Sequence, residues 1–471
     1  MLPLDKVKKI LEAGVQHGGD LAEVYFEERD SFTLGLDDGK VEKAIRGNDK
    51  GGGVRVFYGE AAAYAYTDDL SQDALLEAAS ASSQAARQSN ESRMVLDLEK
   101  RKHRVDLEIQ RQFDEMSEEE KVTLLRLMDQ AARKVSPNVS QVQVRYYQLN
   151  QQVWIFNSDG LWVEDERNFL EYGVTVTAQK NGMLQRVGSG LGGQVGLELL
   201  DGHDPVALAE DVAQSAVKML DARPAPAGDM MVVLPNGWGG VLFHEACGHA
   251  MEADFVTKGT SAYAGQVGEQ IASPLISAID DGTIPGRRGS FRFDDDGTPS
   301  SRTLLIQDGI LREYMWDLTE ARRMGRESTG NGRRQTFRHM PMPRMTNTYI
   351  DAGPHDPQEI IRSVDNGLYV KRLGGGQAEI ARGDFVFSVT EGYLIEKGKI
   401  TAPVRGATVM GNGPEVLKKI DMVGSDLALD QGFGRCGKGQ TARVSVGQPT
   451  IRVPSLMVGG TDREVIGQMD V

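Results

Sequence analysis

The segment AEVYFEERDSFTLGLDDGKVEKAIRG, residues 22–47, sets the architecture of the chain. Two strand-like runs, 22–30 and 31–47, are rich in β-formers, and Asp37-Asp38-Gly39 has the composition of a tight hairpin turn. Further strand-like runs follow at 51–60 and 61–67. Helix patterns flank the set. Upstream, Leu4, Val7, Ile10, Leu11 and Val15 recur at helical spacing over 3–17. Downstream, residues 71–88 read as a helix that Ser71 can cap.

The same order of elements returns. Residues 117–135 read as a helix opened by the capping pattern Ser117-x-x-Glu120. Strand-like runs cover 140–150, 151–168, 170–182 and 183–193, and a helix pattern closes the set at 204–220. The correspondence lies in element order, not in identical residues. It predicts an α+β chain whose N-terminal domain, 1–222, duplicates a helix-plus-antiparallel-strand unit, with polar residues 89–116 joining the two copies.

A composition break, DARPAPAGD at 221–229, follows, with two prolines and a glycine. Beyond it, short apolar runs alternate with Gly, Asp and Pro, the signature of mostly antiparallel strands with tight turns. Helices are expected near 357–364 and 413–421. The second domain, 223–471, is therefore expected to be β-rich.

Composition narrows the function classes. The chain has 471 residues, 40% hydrophobic and 26% charged, which fits a globular protein of more than one domain. The formal net charge is −15, which opposes attraction to nucleic acid. The basic stretch 101–112 is closely followed by acidic residues and reads as a solvated connector. No run of 18 or more apolar residues exists to cross a membrane. The N-terminus lacks the apolar core of a signal peptide, so a cytoplasmic location is expected. Two cysteines, Cys247 and Cys436, do not make a disulfide framework.

The chemistry is concentrated in GWGGVLFHEACGHAMEADF, residues 237–255. Strand-like MMVVLP precedes it, and Asn236 stands where a helix cap belongs. Two neutral imidazoles suit zinc, and an adjacent glutamate suits proton transfer. Yet His244 and His249 are five residues apart, not the four of HExxH. On a regular α-helix that spacing separates them by roughly 140°. A π-type turn, with i→i+5 bonding, would reunite them, and Gly248 is where such a distortion is least opposed. The alternative is a polar helix face with two unrelated histidines. A catalytic zinc needs a third protein ligand. Cys247, Cys436 and the histidines at 17, 103, 203, 339 and 355 are the candidates, besides carboxylates. Cys247 can share a helix face with His244. Cys436 lies in the glycine-rich loop GFGRCGKGQ, whose backbone can approach a metal closely.

Several longer blocks resemble the TldD/PmbA metallopeptidase family. They are FHEACGHAMEADF, IDDGTIPGRRGSFRFDDDGTPSSRTLLIQDGIL, TGNGRRQTFRHMPMPRMTNTYI, VRGATVMGNGPEVLKKI and CGKGQTARVSVGQPTIRVPSLMVGGT, together with the opening DLAEVYFEERDSFTLGLDDGKVEKAIRGNDKGGGVRVFYG. The resemblance covers nearly the whole chain, and the intact HExxxH places it with the TldD-type branch. It implies zinc held by His244, His249 and Cys436, with Glu245 as general base. It also implies hydrolysis of short or unfolded polypeptides inside an enclosed dimer. That dimer is either a homodimer or a heterodimer with a motif-less family member. The family's older description as a modulator of DNA gyrase leaves a non-enzymatic binding role as one alternative, and a zinc hydrolase of another amide is a second. His339 and Tyr393 have the chemistry to stabilise an oxyanion, with a structural polar role as the alternative for each. Arg287, Arg288, Arg333, Arg334 and Arg405 have the chemistry to bind a carboxylate, although most are expected to be ion-paired with the acidic DDDG at 294–297 and similar clusters.

Overall fold

A computed structural model describes residues 2–85, 93–432 and 434–461. The N-terminal half begins with helix α1 (Leu4–Val15), strands β1 (Leu21–Asp37), β2 (Lys40–Tyr58) and β3 (Ala61–Thr67), and helix α2 (Gln72–Ala85). The order then returns as α3 (Glu118–Val135), β4 (Val139–Asn157), β5 (Leu161–Lys180), β6 (Met183–Gly193) and α4 (Pro205–Met219). All six strands share one sheet. β1 pairs antiparallel with β4 at its centre, so the spatial order β3-β2-β1-β4-β5-β6 mirrors itself about that pair. The fold is α+β.

The run at 22–30 and the part of the next run before the Asp38-Gly39 turn form one continuous 17-residue strand. Both sheet faces are covered over its first half, so Leu21–Glu27 is continuously buried before the polar run at 28–31. On one face, α1 and α2 bury Val7, Ile10, Leu11, Ala22, Val24, Val54 and Val56. Each of the Val, Ile and Leu side chains contributes about 1.5–3 kcal/mol when fully buried. Further along that face, α3 and α4 cover Leu34, Val144, Leu170 and Val174. On the other face, Tyr25, Val153, Ile155 and Val163 pack against Phe293 and Phe337 of the C-terminal half. The hairpin turn takes positive φ at Asp38 (48°) and Gly39 (74°), as a tight two-residue connection requires.

Local chemistry fixes the helix starts. Ser117 accepts from the Glu120 amide while Glu120 reaches back to the Ser117 amide, closing the capping box. Asp204 caps α4 through the Val206 amide, with Pro205 in its first turn. Helix α2 is described to Ala85, so residues 86–88 of the expected helix lie outside the described residues. In the 89–116 connector, Glu99 and Lys100 add a short parallel bridge to β5, and Val105 and Leu107 are buried.

The C-terminal half contains two larger sheets. One joins β7 (Gly228–Leu234), β10 (Asn366–Glu379), β11 (Asp384–Glu396) and β15 (Ile451–Gly459). The other includes β8 (Ala278–Asp281), β9 (Asn347–Ile350) and β14 (Ser445–Gln448). Most pairs are antiparallel, but β10 runs parallel to β7 and β14 parallel to β9. A hairpin of β12 (Arg435–Lys438) and β13 (Gln440–Arg443) stands as a separate two-stranded sheet.

Between the halves lies a buried ionic layer. Arg55 of β2 pairs with Glu23 of β1 and with Asp296, and Arg167 of β5 pairs with Asp295 at 2.7 Å. Arg334 returns the contact to Glu23 at 2.9 Å. Replacing Arg55 with Met leaves two buried carboxylates short of a cation, a change that costs about 3–5 kcal/mol. The Arg55→Met protein should show a clearly lower Tm by calorimetry; an unchanged Tm would contradict this role. In the same layer, burial and the neighbouring Asp296 carboxylate push Asp317 up to about 8. The folded chain therefore holds a proton there between about pH 4 and 8 that the unfolded chain lacks, so the stability from this group is full below about pH 4, falls as pH rises and is gone above about 8. Asp317→Asn keeps the helix cap and should flatten the fall in Tm between about pH 5 and 8, relative to wild type.

Candidate metal centre

The motif segment follows β7 and changes winding three times between Gly237 and Met251. A 3₁₀ turn spans Gly237–Gly240, one α-turn Val241–Phe243, a π-turn His244–Gly248 and another 3₁₀ turn His249–Met251. The wider π-turn brings two side chains five residues apart onto one side. The imidazole centroids stand 5.0 Å apart, with ring planes at 80°.

Glycines let this segment sit deep in the fold. A Cβ on Gly240 would lie 2.6 Å from the Gly447 backbone of β14. One on Gly248 would lie 2.4 Å from the Met345 sulfur. Gly248 itself has ordinary helical dihedrals, φ −59° and ψ −48°. Its role is therefore absence of a side chain against Met345, not the conformational freedom expected from sequence. Asn236 also differs from expectation. It occupies the position before the first turn, but its amide donates to the Asp426 carbonyl rather than capping.

Cys436 arrives on the β12–β13 hairpin, 192 residues beyond His244. Its Sγ lies 3.2 Å from His244 Nε2 and 3.1 Å from His249 Nε2. The three donor atoms all fall within 4.8 Å of one another, and all three residues are buried. Zinc bonds of about 2.0–2.1 Å to nitrogen and 2.3 Å to sulfur place such donors roughly 3.5 Å apart in a tetrahedron. The donor set, two imidazoles and a thiol, thus fits a zinc-sized cation in both chemistry and spacing. The buried Nδ1 of His244 has no hydrogen-bond partner among the described residues.

Electrostatics favour an ionised sulfur. Burial alone would raise the Cys436 thiol, but His244 and His249 bring it down to about 5. Burial opposes charge on His249, yet the Glu252 carboxylate and Cys436 push it up to about 10. Cys247 behaves oppositely. It packs among Leu242, Phe243 and Ala246 in the main hydrophobic cluster, where burial pushes its thiol up to about 12. The described geometry separates the two cysteines: Cys436 faces both imidazoles and Cys247 faces the core.

Glu245 stands beside the cluster, with Oε2 3.8 Å from His249 Nε2 and the side chain 34% exposed. It is the carboxylate of the motif that remains open to solvent. Sequence reasoning missed Glu252. Its side chain is fully buried, and Oε2 lies 2.9 Å from His249 Nδ1 and 2.9 Å from Lys438 Nζ. Its i+3 spacing from His249 was the available signal. Arg344 was missed as well, although it donates to the carbonyls of Cys436 at 3.0 Å and Gln440 at 2.7 Å.

Other candidates sit elsewhere. His339 Nδ1 bonds Thr336 Oγ1 at 2.9 Å, and the Tyr393 hydroxyl donates to Glu391 at 2.6 Å beneath Lys218. His355 is held by the Val423 backbone. The five arginines are engaged inside the fold. Arg287 donates to Asp430, Arg288 to Glu171, Arg333 to Met345, Arg334 to Glu23 and Arg405 to Ala222. Among the described residues, no helix is long and apolar enough to cross a membrane.

Known proteins share this arrangement of chain. Models of the PmbA/TldA metallopeptidase domain 1, central domain and C-terminal domain match residues 22–86, 111–220 and 227–460. A metalloprotease TldD homolog of Haemophilus influenzae is 42% identical, over 94% of this chain and 93% of its own. A Thermotoga maritima crystal structure superposes with a TM-score of 0.81 at 21% identity, covering 97% of this chain and all of the other. TldE from Thermococcus kodakarensis superposes with a TM-score of 0.77 at 20% identity, over 97% and 100%. With three domain models spanning most of its length and a relative this similar end to end, the chain belongs to the PmbA/TldD family of metallopeptidases.

Proposed function

We propose that the chain hydrolyses peptide bonds in short or unfolded polypeptides, with zinc held by His244, His249 and Cys436. The observation that carries this reading is the meeting of two imidazole Nε2 atoms and one Sγ, with Glu245 alongside. Zinc, when bound, supplies Lewis-acid polarisation of the scissile carbonyl. The protein supplies the remainder. Glu245, partly open to solvent, takes the proton from the attacking water and returns it to the leaving amine. Buried His244 and His249 keep their donor atoms away from bulk water.

A cleft of about 900 Å³ lies next to the hairpin that carries Cys436, lined in part by Gly188, Ser189, Trp238, Arg372 and Arg435. Gly188 and Ser189 belong to β6, which pairs with β5 along one side. An extended polypeptide can add its main chain to such an edge, which gives weak sequence preference and requires an unfolded substrate. A second subunit, another copy or a motif-less family member, encloses the site and excludes folded proteins. A purely regulatory binding role predicts that Glu245 is dispensable.

Glu245→Ala removes the base and no ligand. It should keep its zinc by elemental analysis while hydrolysis of an unstructured peptide falls about 10²- to 10⁴-fold; wild-type turnover would reject the mechanism. Cys436→Ser should lose most of its zinc after dialysis and Cys247→Ser should not. The reverse pattern would move the third ligand to position 247.

A further inference from the structure

The two histidines are not held alike. His244 Nδ1 has no partner among the described residues, whereas His249 Nδ1 meets Glu252 at 2.9 Å. Glu252 is surrounded by donors: Lys438 Nζ at 2.9 Å, the Met345 amide at 3.2 Å and Arg344 Nε at 3.8 Å. A carboxylate in that setting accepts, so Nδ1 of His249 carries a proton and Nε2 is the nitrogen left to face Cys436 and a metal.

The same cations reach the hairpin that carries the sulfur. Lys438 is two residues beyond Cys436, and its ammonium also contacts Asp254 at 2.8 Å and the Pro343 carbonyl at 2.9 Å. Arg344 donates to the carbonyls of Cys436 and Gln440, one on each strand of the hairpin. That hairpin has only two strands and a small apolar cluster of Cys436, Ala442 and Val444. An isolated two-stranded ribbon is marginal by itself, so its register here depends on what grips it from outside.

We propose that Glu252 is a positioning residue that orients His249 and, through Lys438 and Arg344, registers the Cys436 hairpin against the π-turn. One buried carboxylate thereby couples two ligands that lie 187 residues apart in sequence. The inference rests on the zinc reading, and outer partners of this kind alter metal affinity by roughly 10- to 100-fold.

The experiment compares wild type, Glu252→Gln, Lys438→Met and a His249→Ala control, using zinc and cobalt(II) alone as probes. Apparent zinc affinity is read by competition with a chromophoric chelator. The sulfur-to-cobalt charge-transfer and d–d bands report how sulfur and imidazole sit. Circular dichroism of the metal-free proteins checks the fold, and where Glu252→Gln fails to fold, Lys438→Met decides. Glu252→Gln should bind zinc roughly 10- to 100-fold more weakly with altered cobalt bands. Lys438→Met, which leaves His249 its partner, should show a smaller loss confined mainly to the sulfur band. Wild-type affinity and spectra in every folded variant of Glu252 and Lys438, with loss in His249→Ala, would overturn the proposal and leave the zinc reading standing. Wild-type binding by His249→Ala would overturn the zinc reading itself.

Discussion

Two histidines five residues apart cannot meet on a regular helix, and the structure around residues 237–255 is organised to break that regularity. A π-turn is uncommon in proteins and tends to occur at functional sites. Here an α-turn precedes it and a 3₁₀ turn follows it, so winding is loosest from His244 to Gly248 and tighter on both sides. Such a segment has little helical stability of its own and is held by packing. Gly240 lies against β14, Gly248 against Met345, and Ala246, Cys247 and Ala250 face the largest hydrophobic cluster. Small residues allow the close approach, and the close approach holds the turn.

The third donor imposes a long-range requirement. Cys436 reaches the histidines only if the β12–β13 hairpin is placed correctly, and charges from three directions grip that hairpin. Lys438 reaches the carboxylates at 252 and 254, and Arg344 holds backbone carbonyls on both strands. Arg435 and Arg443 reach Glu171 on β5 of the N-terminal sheet. The N-terminal half thus contributes to the position of a residue that belongs to the C-terminal half. The buried layer of Arg55, Arg167, Arg334 and the carboxylates at 23, 295 and 296 joins the same two halves.

Local patterns were legible in the sequence where local physics decides the outcome. The capping box at Ser117, the Asp38-Gly39 turn and the apolar spacing of Val7, Ile10 and Leu11 all translate directly into elements. The His244–His249 spacing also announced its own irregular turn. What the sequence hid depends on contacts between distant residues. The convergence of Cys436 on two histidines some 190 positions away left no local periodic trace. For that the residues themselves left Cys247 and Cys436 open, and only family resemblance favoured the latter. The surroundings of Gly248 and Asn236 were misjudged because their partners, Met345 and Asp426, lie far along the chain. Most of the arginines weighed as carboxylate binders were expected to pair with acidic clusters, and the five are engaged within the fold, through partners such as Glu171 and Glu23 that no local pattern names.

The central claim is that one cation is shared by two imidazoles and one thiolate drawn from opposite ends of the C-terminal half. X-ray absorption at the zinc edge of the loaded protein measures that shell directly. The account predicts nitrogen or oxygen scatterers near ~2.0 Å together with one sulfur near ~2.3 Å, the sulfur disappearing in Cys436→Ser. A shell of light atoms alone in the wild-type protein, or a sulfur that survives that substitution, would contradict it.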